Sequence, residues 1–335
     1  MTSNNEKLDI NYFYNGVLYG DRTILSQAIT LAESSLNIDK EDFRLILKKI
    51  LPHTGNSIRI GITGIPGVGK STFIEVLGMY LIKKYKKKVA VLSIDPSSPI
   101  NMGSILGDKV RMNELSRSDN AYIRPTPSKS KLGGVAENTR ESLLLCEAAG
   151  YNVIFIETVG IGQSETTVHD MVDFLIMLQI AGAGDDLQTI KRGIFEKIDL
   201  LVLHKAEANN SLKQTEKEYH NFKQMFSFFS LKESNWTPRV VKCSSYEKYG
   251  FDDIWKIISD YIDKTKASIF FEKKRKDQNK KWYDVLVNQK INNLIFNDKD
   301  MVHEILKYRN QVSKESIEAL NLSDKLIEVL KKKFN

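Results

Sequence analysis

Residues Gly64 to Ser71 read GIPGVGKS, which fits the phosphate-loop pattern G-x-x-x-x-G-K-[ST]. An apolar run, Ile58–Ile62, precedes the motif, and a helix-forming stretch, Ser71–Lys84, follows it. The glycines allow a tight turn whose backbone N–H groups point inward, and with a helix N-terminus they form an anion cradle. The alternative, a glycine-rich turn with a chance lysine, does not account for both flanks. The motif therefore predicts a nucleoside triphosphate site.

Each part of this loop has an expected role. We expect Lys70 to reach the β- and γ-phosphates, the Ser71 hydroxyl to bind Mg²⁺, and Thr72 to bond nearer the α-phosphate. The residues expected to hold the nucleotide's phosphates are Gly64, Ile65, Pro66, Gly67, Val68, Gly69, Lys70, Ser71 and Thr72.

Strand and helix patterns alternate along the middle of the chain, as in a parallel sheet with crossover helices. Helices are predicted over Ser71–Lys84, Glu137–Ala149 and Asp252–Lys266. Strands are predicted over Ile58–Ile62, Val89–Ile94, Tyr122–Arg124, Val153–Glu157, Asp173–Gln179, Leu200–Leu203 and Pro238–Lys242. The predicted fold is α/β: a P-loop NTPase with a mostly parallel central sheet flanked by helices.

Both ends of the chain have helical patterns. Residues 1–56 are predicted to be an N-terminal helical extension, residues 57–267 the nucleotide-binding domain, and residues 268–335 a C-terminal helical arm. In the arm, Leu326, Ile327, Leu330 and Phe334 share one helical face, with Ser323 as the expected N-cap.

A Mg²⁺ ion beside Ser71 needs a carboxylate from a neighbouring strand end. Asp95 ends the strand pattern VAVLSID and Glu157 ends VIFIE. Each carboxylate thus lies at the carboxyl end of a predicted buried strand, where an α/β sheet of this kind binds its ligands. Asp95 has the alternative role of capping the turn that follows it. Gly160 is expected to offer its N–H to the γ-phosphate. Ras-like proteins place a water-orienting glutamine directly after this glycine, but here the next residue is Ile161. We therefore expect slow intrinsic hydrolysis and a partner that completes the catalytic site.

The strand Leu200–Leu203 is followed by His204, Lys205, Ala206 and Glu207, where GTPases usually carry N-K-x-D. Glu207 keeps the carboxylate that pairs with guanine but adds a methylene, and Lys205 is unchanged. His204 can donate one hydrogen bond but cannot present the two-sided amide of asparagine. Ser244 and Ser245 follow the last strand, where GTPases place a backbone N–H against guanine O6. The sequence thus favours GTP/GDP but leaves its selectivity over adenine open.

The composition is that of a globular protein, with 41% hydrophobic and 27% charged residues and a formal net charge of +7. No base-stacking motif of interleaved aromatic residues and no recognised nucleic-acid module accompanies the lysine-rich stretches 83–88 and 264–281, so we expect solvated faces and no nucleic-acid partner. No apolar run approaches the ~18 residues of a membrane span, and the start has no targeting pattern. Two cysteines, Cys146 and Cys243, without metal-like spacing favour a cytoplasmic protein.

Together these stretches resemble the MeaB/ArgK-type G proteins, a family that includes the methylmalonic aciduria type A proteins. The resemblance covers roughly residues 20–335 and is strong over 58–205. The stretches that carry it are GITGIPGVGKST (61–72), SIDPSSP (93–99), GSILGDKVRM (103–112), LGGVAENT (132–139), ETVGIGQSE (157–165) and GAGDDLQTIKRGIFE (182–196). The departures from the family are His204, Glu207 and the SKSK stretch at 128–131.

The resemblance implies roles for residues that spacing alone does not assign. Asp95, Asp108 and Glu157 would surround Mg²⁺ and the attacking water, and Lys191 would stabilise charge on the phosphates when a partner docks. Asp185, in a third switch, would respond to that partner. Two alternatives stay open: Asp108 as a surface loop acid, and Asp185 as a helix cap.

The resemblance also implies a partner and a biological role. Members of the family are homodimeric GTP-driven chaperones that assist an adenosylcobalamin-dependent acyl-CoA mutase, chiefly methylmalonyl-CoA mutase. Three alternatives remain: a kinase, a non-hydrolysing nucleotide-binding scaffold, and a nickel-insertion GTPase. The last is disfavoured because the five histidines are scattered along the chain, at His53, His169, His204, His220 and His303.

Overall fold

The computed structural model describes residues 8–34, 37–95, 112–127, 134–158, 168–182, 193–207, 212–229, 232–312 and 316–334. Within these ranges the strands are β1 (Ile58–Gly64), β2 (Val89–Asp95), β3 (Ala121–Pro127), β4 (Val153–Thr158), β5 (Phe174–Ile180), β6 (Leu200–His204) and β7 (Arg239–Lys242). The helices are α1 (Ile10–Leu18), α2 (Arg22–Glu33), α3 (Asn37–Ile50), α4 (Lys70–Tyr85), α5 (Asn113–Ser116), α6 (Gly134–Ala148), α7 (Gly193–Lys197), α8 (Leu212–Ser227), α9 (Phe251–Ala267), α10 (Phe270–Phe296), α11 (Lys299–Gln311) and α12 (Ser316–Phe334).

The strands form one parallel sheet in the order β3-β2-β4-β1-β5-β6-β7, which confirms the predicted α/β fold. Strands β1, β4 and β5 are buried along nearly their whole length, as expected when helices cover both faces of a parallel sheet. Because all strands run the same way, their carboxyl ends meet at one edge, and the loops that leave that edge build the site.

Strand β3 is longer than predicted, seven residues in place of the three in Tyr122–Arg124. Two of its residues, Pro125 and Pro127, argue against a strand because proline cannot donate a ladder hydrogen bond. Among the described strands, β3 lies at the edge of the sheet and pairs with β2 alone, so one side of its backbone needs no strand partner. The edge position explains why both prolines are tolerated.

Helix α8 is absent from the sequence prediction, although its pattern is amphipathic. Thr215, Phe222 and Phe226 are buried on one side of it, at helical spacing. Most of the other positions are charged or polar, which hid the apolar face. The helix follows the base-site loop after β6 and contacts β7.

Helices α1, α2 and α3 pack on one another, and α2 also packs on α6. Both α1 and α2 begin with an aspartate N-cap, Asp9 and Asp21, each of which accepts two backbone N–H bonds. The Ser26 and Tyr122 hydroxyls, 3.1 Å apart, tie α2 to the edge strand β3. The predicted N-terminal helices are therefore present.

The chain forms two compact units, residues 1–278 and 279–335. In the second unit α11 packs against α12, with Met301 and Leu322 buried. Ser323 lies inside α12, where its hydroxyl donates to the Leu320 carbonyl, so the predicted N-cap at Ser323 is wrong. The helix begins at Ser316, because the residues between Ser316 and Ser323 also favour a helix. None of the helices in the described ranges has the length and apolar character needed to cross a bilayer.

Candidate nucleotide site

The GIPGVGKS stretch forms the turn between β1 and α4, at the centre of the sheet. Gly64, Gly67 and Gly69 all have positive φ, at 146°, 78° and 94°. A Cβ on Gly64 would lie 2.5 Å from the Leu178 carbonyl oxygen, which leaves no room for a side chain. The loop therefore needs glycine at these positions to turn back over the end of β5.

The Lys70 ammonium folds back across this loop. It donates hydrogen bonds to the carbonyl oxygens of Gly64 at 2.9 Å and Ile65 at 3.2 Å, and the residue is 8% exposed. A buried cation is costly unless it is bound by acceptors, and here two main-chain oxygens act as acceptors. This geometry holds the ammonium at the anion cradle, where phosphate oxygens can become its partners.

Ser71 and Glu157 meet where α4 begins and β4 ends. The Ser71 hydroxyl donates to Glu157 Oε1 at 3.0 Å, and Ser93 donates to Oε2 at 3.4 Å. Ser93 is paired with Glu157 in the β2–β4 register. A hydroxyl and a carboxylate are hard oxygen donors, and Mg²⁺ takes one or two carboxylates in addition to substrate phosphates. These residues fit that ion.

The structure tests only some of the predicted metal and catalytic residues. Asp95 is the last residue of β2, two residues beyond Ser93 and on the same sheet edge as Glu157. The side chain of Asp95 lies outside the described part of the chain, and so do Asp108, Gly160, Asp185 and Lys191. Their roles stay predictions.

His204 ends β6 and is buried, with 2% of its surface exposed. Its Nδ1 lies 2.7 Å from the Val68 carbonyl oxygen and its Nε2 lies 2.7 Å from the Ser245 hydroxyl. Burial lowers the pKa of the imidazole below its ordinary value. Both ring nitrogens are thus committed to protein partners, a geometry that sequence reasoning did not anticipate.

Lys205 has a left-handed backbone, with φ of 57°, so the chain turns sharply just after β6. Its ammonium donates to the Gly67 carbonyl at 2.9 Å. The side chain therefore extends from the loop after β6, residues 204–207, which we call the base loop, to the phosphate loop. An extended lysine stem in this position can lie along the plane of a base.

The loop after β7 supports the segment that leads to Glu207. The Ala206 N–H donates to the Cys243 carbonyl at 3.2 Å, and the Tyr249 hydroxyl donates to the Ala206 carbonyl at 2.5 Å. Ser244 and Tyr249 exchange two backbone bonds of 3.2 Å. Sequence reasoning missed Tyr249 and Ser93. The available signal for Tyr249 was its position: it is an aromatic residue directly before Gly250, at the end of the loop that begins with Ser244 and Ser245.

Within the described residues, those predicted to bind phosphate, metal and base therefore lie at one edge of the sheet. The loop of β1 can bind phosphates, Ser71 with Glu157 can bind a metal ion, and the loops after β6 and β7 form the base end. Such a site suits phosphoryl transfer, in which catalysis is chiefly positioning and electrostatic stabilisation.

The family described as methylmalonyl Co-A mutase-associated GTPase MeaB matches residues 25–300. The chain belongs to the MeaB family of GTPases. The chain is 46% identical to the GTPase ArgK of Escherichia coli over 281 residues, 84% of each protein. It is 37% identical to the mitochondrial methylmalonic aciduria type A homolog of Caenorhabditis elegans over 316 residues, 91% of this chain and 78% of that protein.

A solved structure shares the fold over nearly the whole length. It is described as an LAO/AO transport system kinase and superposes with a TM-score of 0.74 at 35% identity, covering 97% of this chain and 99% of that one. The resemblance seen in the motifs is confirmed, as is the P-loop NTPase fold. In this member of the family the phosphate-loop motif, Lys70 and the Ser71–Glu157 pair lie together at the carboxyl edge of the sheet.

Proposed function

We propose that this GTPase assists an adenosylcobalamin-dependent acyl-CoA mutase, with methylmalonyl-CoA mutase as the favoured partner, in loading or protecting its cofactor. The family match carries the proposal, because the family is described as mutase-associated and covers residues 25–300. The relatives named after methylmalonic aciduria type A, from Caenorhabditis elegans and Mus musculus, support the same role.

The site chemistry supports a switch driven by GTP/GDP and Mg²⁺. In the proposal, Lys70, Ser71 and Glu157 bind the phosphates and the metal ion, which the Lys70 bond to the Gly64 carbonyl and the Ser71 bond to Glu157 support. In the proposal, Gly160 contacts the γ-phosphate and Asp95 and Asp108 complete the environment of Mg²⁺ and water. The mutase-bound form brings Lys191 to the phosphates. A slow intrinsic rate follows, since the residue after Gly160 is Ile161.

The proposal includes a homodimer formed through the helical N- and C-terminal extensions, and a cytoplasmic location. The second compact unit carries exposed apolar side chains on its helices, among them Leu294, Leu306 and Leu320. Such side chains suit an interface between copies.

GTP hydrolysis measured with and without purified apo- and holo-mutase tests this function. We expect at least a tenfold rise in rate and a complex whose stability on gel filtration differs between GDP and a slowly hydrolysed GTP analogue. The Lys191→Ala variant should lose the mutase-dependent rise, whereas Lys197→Ala, a lysine six residues further along, should keep it. A rate that is independent of the mutase, together with no complex in either nucleotide state, would overturn the proposal.

A second candidate function is phosphate transfer to a small acceptor, which the description of the neighbouring structure as a transport system kinase favours. With γ-phosphate-labelled GTP, a kinase transfers the label to a small-molecule acceptor. The proposed GTPase releases all of the label as inorganic phosphate.

A further inference from the structure

His204 lies where three segments of the nucleotide site converge. It ends β6, its Nδ1 contacts the phosphate loop at Val68, and its Nε2 contacts Ser245 in the loop after β7, each at 2.7 Å. Val68 is 136 residues away along the chain and Ser245 is 41 residues away. One side chain thus links the base end of the site to its phosphate end.

The two partners dictate the tautomer of the ring. A carbonyl oxygen can only accept a hydrogen bond, so Nδ1 must carry the proton that is donated to Val68. The neutral ring then leaves Nε2 as an acceptor, and the Ser245 hydroxyl donates to it. Burial lowers the pKa of His204, which keeps this neutral form at neutral pH.

The ring has close neighbours in the phosphate loop and in α4. A Cβ on Gly69 would lie 2.9 Å from His204 Cε1, and the Phe73 ring meets the imidazole edge-on with centroids 5.8 Å apart. The charged groups that act on it are Glu207 and Lys205. Both ring nitrogens are bonded to protein groups, so neither is left to bond a base edge.

Lys205, the next residue, makes a second connection between the base loop and the phosphate loop. Its ammonium donates to the Gly67 carbonyl, next to the Val68 carbonyl that His204 holds. The base loop is therefore attached to the tip of the phosphate loop through two adjacent carbonyl oxygens. Movement of one loop must be accommodated by the other.

We propose that His204 is a positioning residue that couples the base loop to the phosphate loop, and that the base is read by Glu207 and the Ser244–Ser245 loop. His204 acts on the nucleotide through Val68 and Ser245 and makes no direct contact with the base. Its loss then weakens every ligand that uses the phosphate loop, including one with no base at all.

Calorimetry with Mg²⁺ and three ligands, GDP, ADP and inorganic pyrophosphate, tests the proposal on the full chain. In His204→Ala we expect GDP and pyrophosphate to bind at least about fivefold more weakly by similar factors, with the GDP-to-ADP affinity ratio within twofold of wild type. In Glu207→Gln we expect the ratio to fall about tenfold while pyrophosphate affinity stays constant. If His204→Ala weakens GDP alone and leaves pyrophosphate unchanged, His204 reads the base directly and the proposal fails.

Two further measurements separate positioning from a role in stability alone. His204→Asn has an amide that can donate to Val68 and accept from Ser245, so it should recover part of the lost pyrophosphate affinity. Nitrogen-15 NMR of the wild-type imidazole, which needs no variant to fold, should show a protonated Nδ1 and an unprotonated Nε2 at pH 7. An Nε2-protonated ring or a charged imidazolium at that pH would overturn the assignment.

Discussion

The Ser71 hydroxyl donates to Glu157 Oε1 at 3.0 Å, so the first turn of α4 and the end of β4 are joined at the predicted metal position. Glu157 also accepts from Ser93 on β2, the strand beside β4. Three adjacent segments therefore orient one carboxylate. A carboxylate held in this way needs little rearrangement to accept Mg²⁺, directly or through a water molecule.

Replacing Glu157 with glutamine should remove most Mg²⁺-dependent activity. The amide is nearly isosteric but lacks the charge that holds a divalent cation, so we expect GTP hydrolysis to fall at least about 100-fold. GDP affinity without Mg²⁺ should stay within threefold of wild type. Single-turnover hydrolysis at several Mg²⁺ concentrations and calorimetry with EDTA measure the two effects.

Ser93→Ala is the matched control, because it removes the longer of the two hydroxyl contacts, 3.4 Å, and leaves the carboxylate. We expect a change of less than about threefold in hydrolysis. If both variants lose activity equally, the role of Glu157 is to stabilise the sheet edge and not to hold the metal.

Lys70→Ala should abolish tight nucleotide binding without unfolding the protein. Its ammonium donates to the main-chain oxygens of Gly64 and Ile65, and removing it leaves the cradle without its cation. We expect GDP affinity to fall at least tenfold, about 1.4 kcal/mol. Lys84→Ala, in the last turns of α4 on the exposed surface, should leave affinity unchanged. Equal effects in calorimetry would contradict the phosphate role of Lys70.

A buried ion pair stabilises the opposite edge of the sheet. Arg59 Nε donates to Glu147 Oε1 at 2.9 Å and its Nη2 donates to Oε2 at 3.0 Å, with both side chains almost fully buried. Glu147→Gln leaves an uncompensated buried guanidinium, so the free energy of unfolding should fall by about 3–5 kcal/mol. Glu216→Gln, which breaks an exposed pair with Lys242, is the control and should have little effect in urea unfolding.

The same region should make stability depend on acid pH. Burial acts to raise the pKa of Glu147 and of Asp173, but the guanidinium groups of Arg59 and Arg275 outweigh it, so both pKa values lie below their ordinary values of 4.5 and 3.8. A carboxylate with a depressed pKa stabilises the fold above its ordinary value, and this stabilisation is lost as the pH falls.

We therefore expect the urea midpoint of the wild type to be steady near neutral pH and to fall as the pH drops from about 5 to about 3. In Glu147→Gln one of the two carboxylates no longer titrates, so the decline should be shallower. A midpoint that rises on acidification, or an identical slope in the variant, would show that these two groups do not govern acid stability.

Gly64→Ala should lower the free energy of unfolding more than Gly150→Ala. Both residues have positive φ, at 146° and 84°. Each substitution forces a side chain into an unfavourable backbone region, at a cost of about 1–2 kcal/mol. At Gly64 the new Cβ would also lie 2.5 Å from the Leu178 carbonyl, whereas at Gly150 nothing lies within 4 Å. Urea unfolding should show the larger loss in Gly64→Ala, together with loss of GDP binding; equal losses would exclude the clash.

The strand-and-loop pattern around GIPGVGKS was readable from the sequence because its signals are local. An apolar run, three glycines and a helix-forming stretch lie within about thirty residues, and each limits its own backbone. Helix α8 was missed because its apolar positions are few. Strand β3 was predicted too short because its prolines are tolerated only at an edge, and the strand order, not the strand itself, puts it there.

The sequence by itself determined the fold class and the family, because fixed spacing and apolar periodicity act over short distances. It also predicted the roles of Lys70, Ser71, Glu157 and the base loop. The tertiary structure alone decided which side chains complete those parts. Ser93 reaches Glu157 because β2 lies beside β4, and His204 meets Val68 and Ser245 because β6 ends level with the loops of β1 and β7. Such contacts depend on the order of strands in the sheet, and packing of the whole chain sets that order.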